Sequence, residues 1–320
     1  MKLTLFFLLL VNLAMVSCAQ AQDQSMDLLK KMNQAVNSVN YDGVFLYVDE
    51  KHIHTLRVIH KIQDGSVRER LYALNGVPRE VIRDAERVWC FMPEMKMGHA
   101  GLRSDKATGF PGFMVKNLAA LVNNYQISTD GIDRIADRSV TRLQILPRDG
   151  LRYGYDLWAD QETGLLLKSA LIDNAENVIE QYMFALIEIG GDIPESALLP
   201  MTDNDALEWH SNKQPPVNTP VKDSQWQFSA LPAGYRLVNI IQRSIPMDAE
   251  PFEHMILSDG LAGVSVFIEK MSNPASGTGL DQMGAVNSYT RVIDDYLITA
   301  IGEVPSATVK VIGDALVTRH

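Results

Sequence analysis

From Gly43 to Glu188 the chain is cut into short apolar runs by turn residues, and this rhythm constrains the fold more than any other feature. Asp64-Gly65, Asn75-Gly76, Asp149-Gly150 and Asp173-Asn174 separate runs at 53–62, 66–74, 77–83, 86–92, 138–147, 151–159, 165–173 and 177–188. Asp-Gly and Asn-Gly pairs supply the positive backbone φ that a tight hairpin needs. With further runs at 43–48 and 124–129, the pattern predicts an antiparallel meander of about ten strands and very few helices. The run Gly43–Val48 is apolar on both parities and so calls for cover on both faces. A preceding helix can supply one cover, since Leu28, Met32, Ala35, Val36 and Val39 recur at three- and four-residue steps.

The ribbon 156–173, DLWADQETGLLLKSALID, turns at Asp160–Gly164 and offers no His, Cys or phosphate cradle. It reads as wall around something greasy. The stretch 92–122 interrupts the strands and is rich in Met, Phe and Gly, ending in a short helical pattern through Leu118 and Leu121. A loop of that length is uncommon unless it is functional, and flexible Met side chains suit apolar binding surfaces. It serves equally as a plug completing the core.

Residues 1–21 read as a secretory signal, with Lys2, an apolar run from Leu3 to Val16, and a small-residue cleavage site at Ala19-Gln20-Ala21. Met15-Val16-Ser17-Cys18 loosely matches a lipobox, which leaves a lipid anchor at Cys18 as the alternative. Domain boundaries follow from composition: a large domain over 22–200, a polar linker with three prolines over 201–224, and a second domain over 225–320. In the latter, strands at 235–243, 252–258, 262–270 and 286–301 precede a terminal helix after Pro305, with Ser306 as its cap and Val309, Ile312 and Leu316 on one face. The fold class is therefore mainly β, with a smaller α+β C-terminal domain.

The residues point away from catalysis. Cys90 lies in the apolar run Val88–Met92 and reads as a buried, inert thiol. Neither a nucleophile-elbow nor a zinc-protease motif occurs, and no apolar strand leads into the glycine-rich, linker-like 277–284. His52-Ile53-His54 places two imidazoles on one side of a strand, with His60 nearby, but the sequence nominates no third or fourth ligand, so no metal and no cofactor are expected. A net charge of −10 argues against nucleic acid and permits a partner with a basic patch.

Several motifs resemble one family. Arg134–Arg138 (RIADR), Pro147–Tyr155 (PRDGLRYGY) and Leu157–Gly164 (LWADQETG) are similar to the periplasmic RseB/MucB regulators of the envelope-stress sigma factor. Asn40–Gly43, Pro78–Val81, Leu171–Asp173 with Glu180-Gln181, Leu231–Tyr235 (LPAGY) and Leu257–Gly260 (LSDG) agree in order along the mature chain. The resemblance implies a large unclosed antiparallel β-barrel with helices, LolA/LolB-like, whose cavity receives acyl chains of lipoprotein or lipopolysaccharide. It implies further that the smaller domain holds the periplasmic segment of an RseA/MucA-like anti-sigma factor and shields it from proteolysis until acyl ligands release it, in the periplasm and without enzymatic activity.

On that basis the lipid-binding candidates are Phe45, Trp89, Phe91, Phe110, Phe113, Met114, Leu118, Tyr155, Trp158 and Met183, although large apolar residues usually belong to the core. Tyr235, Arg236 and Arg243 with the terminal helix are the partner-binding candidates. A lipid or lipoprotein carrier without a regulatory partner is the alternative, and a homodimer is left open.

Overall fold

The computed structural model describes residues 24–49, 51–102, 115, 118–211, 218–243, 250–271 and 277–319. The signal segment, Cys18, Phe110, Phe113 and Met114 lie outside the described residues. A first helix, α1 (24–35), leads into β1 (Tyr41–Val48), β2 (Ile53–Gln63), β3 (Ser66–Ala73), β4 (Glu80–Arg83), β5 (Arg87–Met92) and β6 (Met97–Leu102). After α2 (Leu118–Asn124) come β7 (Tyr125–Ile135), β8 (Arg138–Pro147), β9 (Gly154–Asp160), β10 (Leu166–Ile172), β11 (Val178–Ile189) and β12 (Glu208–Ser211). These twelve strands form one sheet, β12-β6-β5-β4-β3-β2-β1-β11-β10-β9-β8-β7. All neighbours are antiparallel except β12, which joins β6 in parallel. β7 and β12 remain as edges, so the barrel is unclosed.

Of the four turn dipeptides, Asp64-Gly65 is built as a tight hairpin requires, Asn75-Gly76 takes positive φ at Gly76 alone, and neither Asp149-Gly150 nor Asp173-Asn174 takes it. Asp64 and Gly65 both take positive φ between β2 and β3, as do Ala136 and Asp137 between β7 and β8. The Asp160–Gly164 turn is held by Arg138, whose Nε and Nη2 donate to the two oxygens of Asp160 at 2.7 and 3.1 Å, while Nη2 also reaches Glu162 at 3.0 Å. Asp160 additionally accepts from the Thr163 amide and hydroxyl at 2.8 and 2.7 Å. Burial would raise its carboxyl pKa, but the Arg138 and Thr163 hydrogen bonds prevail and hold it below the ordinary value. Gly164 turns at φ +80° against Lys31, where a Cβ would fall 2.6 Å from the Lys31 Cγ. The helix α1 thereby docks on the ribbon, and Leu29, Met32 and Ala35 join Leu121, Tyr125, Leu157, Tyr41 and Phe45 in the barrel core.

Several elements differ from the sequence reading for physical reasons. β6 forms inside the stretch expected to be irregular. Its two glycines carry no strand pattern, and backbone pairing with β5 and β12 on either side makes it a strand. The linker carries β12 and β13 (Asn218–Pro220), strands of four and three residues that extend the two sheets and need no apolar period. Ser306 is the first residue of the terminal helix rather than its cap; Pro305 takes that place, without a side-chain cap bond.

The second domain adds β14 (Trp226–Phe228), β15 (Arg236–Arg243), β16 (Phe252–Ser258), β17 (Gly263–Lys270), β18 (Gly279–Met283), β19 (Val286–Ile293), β20 (Tyr296–Gly302), α3 (Ser306–Ala315) and β21 (Leu316–Thr318). Its main sheet runs β13-β15-β16-β17-β20-β19-β18. α3 buries Val309 and Ile312 beside Trp226, Leu257, Val266 and Ile298. His254, buried on β16, stacks on Phe267 at 4.4 Å and meets the Ser265 hydroxyl at 2.9 Å. Burial, assisted by Arg243, pushes its pKa down to about 4.

The domains meet at Arg152, which is fully buried. Its Nε donates to Asp259 at 2.5 Å, and its two terminal nitrogens donate to Asp149 and to the Ala233 carbonyl. The Tyr235 ring lies under the guanidinium at 4.7 Å, and the Tyr125 hydroxyl donates to Asp259 at 2.9 Å. Burial opposes the charge on Arg152, but the hydrogen bonds it donates to Asp259 and Asp149 outweigh it and raise its pKa. Thr308 donates to the Leu151 carbonyl at 2.7 Å, and Asn287 to the Tyr153 hydroxyl at 3.0 Å.

Two predictions follow from these buried charges. Arg152→Met leaves Asp259 buried without its cation and costs about 3–5 kcal/mol, whereas adding Asp259→Asn recovers part of that loss. Urea midpoints of the two variants check it. For His254, the unfolded chain binds a proton near pH 6.5 and the folded chain only near 4, so stability falls as pH drops across that window, by up to about 3 kcal/mol. His254→Gln keeps a group for Ser265 and should flatten that loss between pH 7 and 4.5.

Candidate functional site

Register and pleat give β1–β5 two distinct faces. Tyr41, Phe45, Val58, Leu71 and Cys90 point to one; Ile59, Tyr72, Ile82, Trp89 and Phe91 point to the other. The first face is the barrel core. The second is covered by residues 190–211, which return across the strands after β11. This return is pinned by charge. Arg70 donates to Glu80 at 2.5 Å and to the Ala197 carbonyl at 2.9 Å, the Met201 amide donates to Glu80 at 3.1 Å, and Glu195 accepts from Lys61 at 2.7 Å and from Arg68. Leu198 and Ile193 pack on Ile59 and Tyr72.

The return ends as β12, and there Trp209 stands edge-on to Phe91, ring centroids 5.3 Å apart at 88°. Gly98 makes room for it, since a Cβ at that position would sit 2.8 Å from the indole. Between the return and the sheet lies a cavity of about 560 Å³. Ile82, Trp89, Phe91, Leu198, Leu199 and Trp209 form its apolar walls, and Arg68, Arg83 and Asp84 stand on its lining. The size falls in the range of small-ligand sites, about 300–1,000 Å³. Cys90 faces the other way, half-buried, and burial pushes its thiol pKa up, which disfavours a nucleophilic thiolate.

Of the lipid-binding candidates, the structure brings Trp89 and Phe91 together in this cavity. Phe45 and Trp158 are buried in the barrel core, and Met183 packs against it. Leu118 and Tyr155 pack against the neighbouring cluster under α1. Trp158 is also flanked by Lys168 at 4.1 Å and Arg142 at 5.5 Å. Among the partner-binding candidates, Tyr235 is buried in the domain junction, while Arg236 and Arg243 occupy opposite ends of β15, about 23 Å apart at strand rise. Arg236 is exposed, as are Leu237 and Val238 beside it.

A second cavity, about 650 Å³, opens at the domain junction between Tyr47, Asp49, Lys51, His52 and Glu180 of the barrel and Gln282–Val286 with Glu303 of the second domain. The Tyr47 hydroxyl donates to Glu180 at 2.7 Å. Glu303 reaches solvent. Even so, the protein packed around it and the neighbouring Glu180, to which it hydrogen-bonds, raise its carboxyl pKa to about 7.

Family models match this architecture in two pieces. The MucB/RseB N-terminal domain matches residues 24–202, and the MucB/RseB C-terminal domain matches residues 220–317. The chain belongs to the MucB/RseB family. The sigma factor AlgU regulatory protein MucB of Pseudomonas aeruginosa is 30% identical over 315 residues, covering 96% of this chain and 95% of the relative. The sigma-E factor regulatory protein RseB of Escherichia coli K12 is 29% identical over 301 residues, covering 92% and 91%. Among solved structures, the Pseudomonas aeruginosa MucA/MucB complex matches at TM-score 0.72 and 26% identity, over 93% of this chain and 99% of that one. MucB in complex with MucA(peri) matches at 0.70 and 26%, over 92% and 98%.

The motifs that carried the MucB/RseB resemblance now have positions. Arg138 of RIADR holds Asp160 and Glu162 of LWADQETG. Arg152 of PRDGLRYGY meets Asp259 of LSDG and Tyr235 of LPAGY. They fix the turn and the junction rather than line the apolar cavity. Trp209 was missed because it lies in a polar stretch; a lone large aromatic among prolines and charges was the available signal. An anilinonaphthalene dye is expected to light up in this cavity. Gly98→Val, by pushing Trp209 off the sheet, should weaken its binding at least about fivefold (~1 kcal/mol). Fluorescence titration checks this; equal affinity would show that Trp209 is not part of the dye's seat.

Proposed function

We propose that this chain works in the periplasm as a regulatory binding protein. It holds the periplasmic segment of a membrane anti-sigma factor of the MucA/RseA kind, shields that segment from the first regulatory protease, and loosens its hold when an acyl chain of lipoprotein or lipopolysaccharide enters the large domain. The observation that carries the reading is the likeness, across both domains, to two MucB structures that contain MucA. No helix among the described residues is long and apolar enough to cross a membrane.

The geometry supports a physical route. Burying an acyl chain yields about 0.8 kcal/mol per CH₂, so several methylenes against Trp89, Phe91 and Trp209 supply several kcal/mol. A ligand moves an equilibrium only by its differential affinity for the two states. Trp209 on β12 is the wall residue through which an occupant can favour one state, because it lines the cavity from the edge strand of the large sheet.

Calorimetry on mature protein and the anti-sigma periplasmic segment tests this. Binding is expected in the micromolar range or tighter, and an acylated peptide should weaken it at least about tenfold (~1.4 kcal/mol). Arg236→Glu with Arg243→Glu should weaken binding of the segment without changing the response to the acyl ligand. Absence of segment binding would favour a lipid carrier without a regulatory partner. Binding indifferent to acyl ligand would remove the sensing half.

A further inference from the structure

His52 and His54 lie on one side of the β1–β2 hairpin, and the structure adds what the sequence could not nominate. Asp49 brings its carboxylate to them across the turn. One ligand atom from each of the three residues lies within 4.8 Å of the others. His52 Nδ1 and Asp49 Oδ1 are 3.3 Å apart. With metal–ligand bonds of about 2.0–2.2 Å, the edge of a tetrahedral site is about 3.4 Å, so that pair already has the spacing a zinc ion requires. The His52 and His54 rings are 5.8 Å apart and tilted by 35°. Both are partly or fully exposed, so a rotation about χ can close the remaining gap.

The surroundings hold this set in place. The Asp49 Oδ1 accepts the Lys51 and His52 amides at 2.8 Å each, which fixes the turn and holds that oxygen beside His52 Nδ1. His54 stacks on Tyr47, ring centroids 6.2 Å apart, and the Tyr47 hydroxyl is in turn bound to Glu180. Anchors of this kind orient ligand rings and tune a site. The adjoining junction cavity favours cations as well. Asp49 and Glu180 stand on its described lining with Lys51, and Glu303, its carboxyl pKa raised to about 7, stands beside them.

We propose that Asp49, His52 and His54 form a divalent-metal site of the zinc class at the junction of the two domains. Two imidazoles with one carboxylate select a borderline transition ion over magnesium or calcium, which prefer all-oxygen shells. Three protein ligands leave a fourth position to water, so the ion exchanges with solvent instead of being locked in as a structural metal is. The proposal is independent of the lipid and anti-sigma reading.

The test is zinc titration of untagged mature protein in competition with a chromogenic chelator. Wild type is expected to bind one zinc per chain. His52→Ala with His54→Ala should weaken that at least about tenfold, the loss that even an outer-shell change can produce. Asp49→Asn, which retains an oxygen for the two turn amides, should weaken it too, and the metal-free melting temperature of both variants should match wild type. His99 and His210, whose rings are 5.5 Å apart on β6 and β12, are the control. His99→Ala with His210→Ala should leave zinc affinity unchanged. No saturable zinc binding, binding that survives loss of His52 and His54, or binding lost with His99 and His210 would overturn the assignment.

Discussion

A guanidinium out of reach of water needs a partner for its charge and for every N–H it carries, and Arg152 draws those partners from both domains. Asp149 comes from its own turn, while Asp259, the Ala233 carbonyl and the Tyr235 ring come from the second domain. Tyr125 at the head of β7 completes the set by donating to Asp259. An ion pair this deep contributes little net stability compared with apolar packing, because desolvation offsets most of the attraction. Its effect is on geometry. Hydrogen bonds to fixed oxygens allow one relative placement of the two domains, and Asn287 and Thr308 add contacts that fit only that placement.

The apolar cavity depends on a second set of buried charges. Arg70 and Glu80 neutralise one another on the outer face of β3 and β4 and in doing so hold the return segment by its backbone. Those bonds fix where Leu198 packs on Ile59 and Tyr72, and so where the hollow beside it lies. Trp209 then closes one side by lying on Gly98, where any larger residue would push it away. Charge thus positions the walls, and apolar surface supplies what the walls can bind.

Much of the site was legible only in part. Trp89 and Phe91 could be nominated because they alternate on a recognisable strand, and they do share a cavity. Phe45 has the same residue type and the same kind of strand, yet register sends it to the opposite face. A one-residue difference in parity reverses the direction of a side chain, and parity relative to a distant strand cannot be read from spacing. Tyr235 was nominated as partner surface and is instead packed beneath Arg152, since nothing in LPAGY reveals which face of the loop meets the barrel. The histidine pair at 52 and 54 was visible as a pair; its carboxylate neighbour depended on how the hairpin turned.

The local code was sufficient for most of the strands, the Asp64-Gly65 hairpin turn and the α1 stripe. These depend on neighbours in sequence: a two-residue period, an Asp-Gly or Asn-Gly φ requirement, and a helical repeat. β6 and β12, the cavity they bound, and the junction around Arg152 were decided by tertiary structure. β6 and β12 are strands because other strands lie beside them, and 110 residues separate Met97 from its partner Glu208 across the chain fold. Arg152 and Asp259 find one another only after each domain has folded, since a charge pair has no periodicity for the sequence to display.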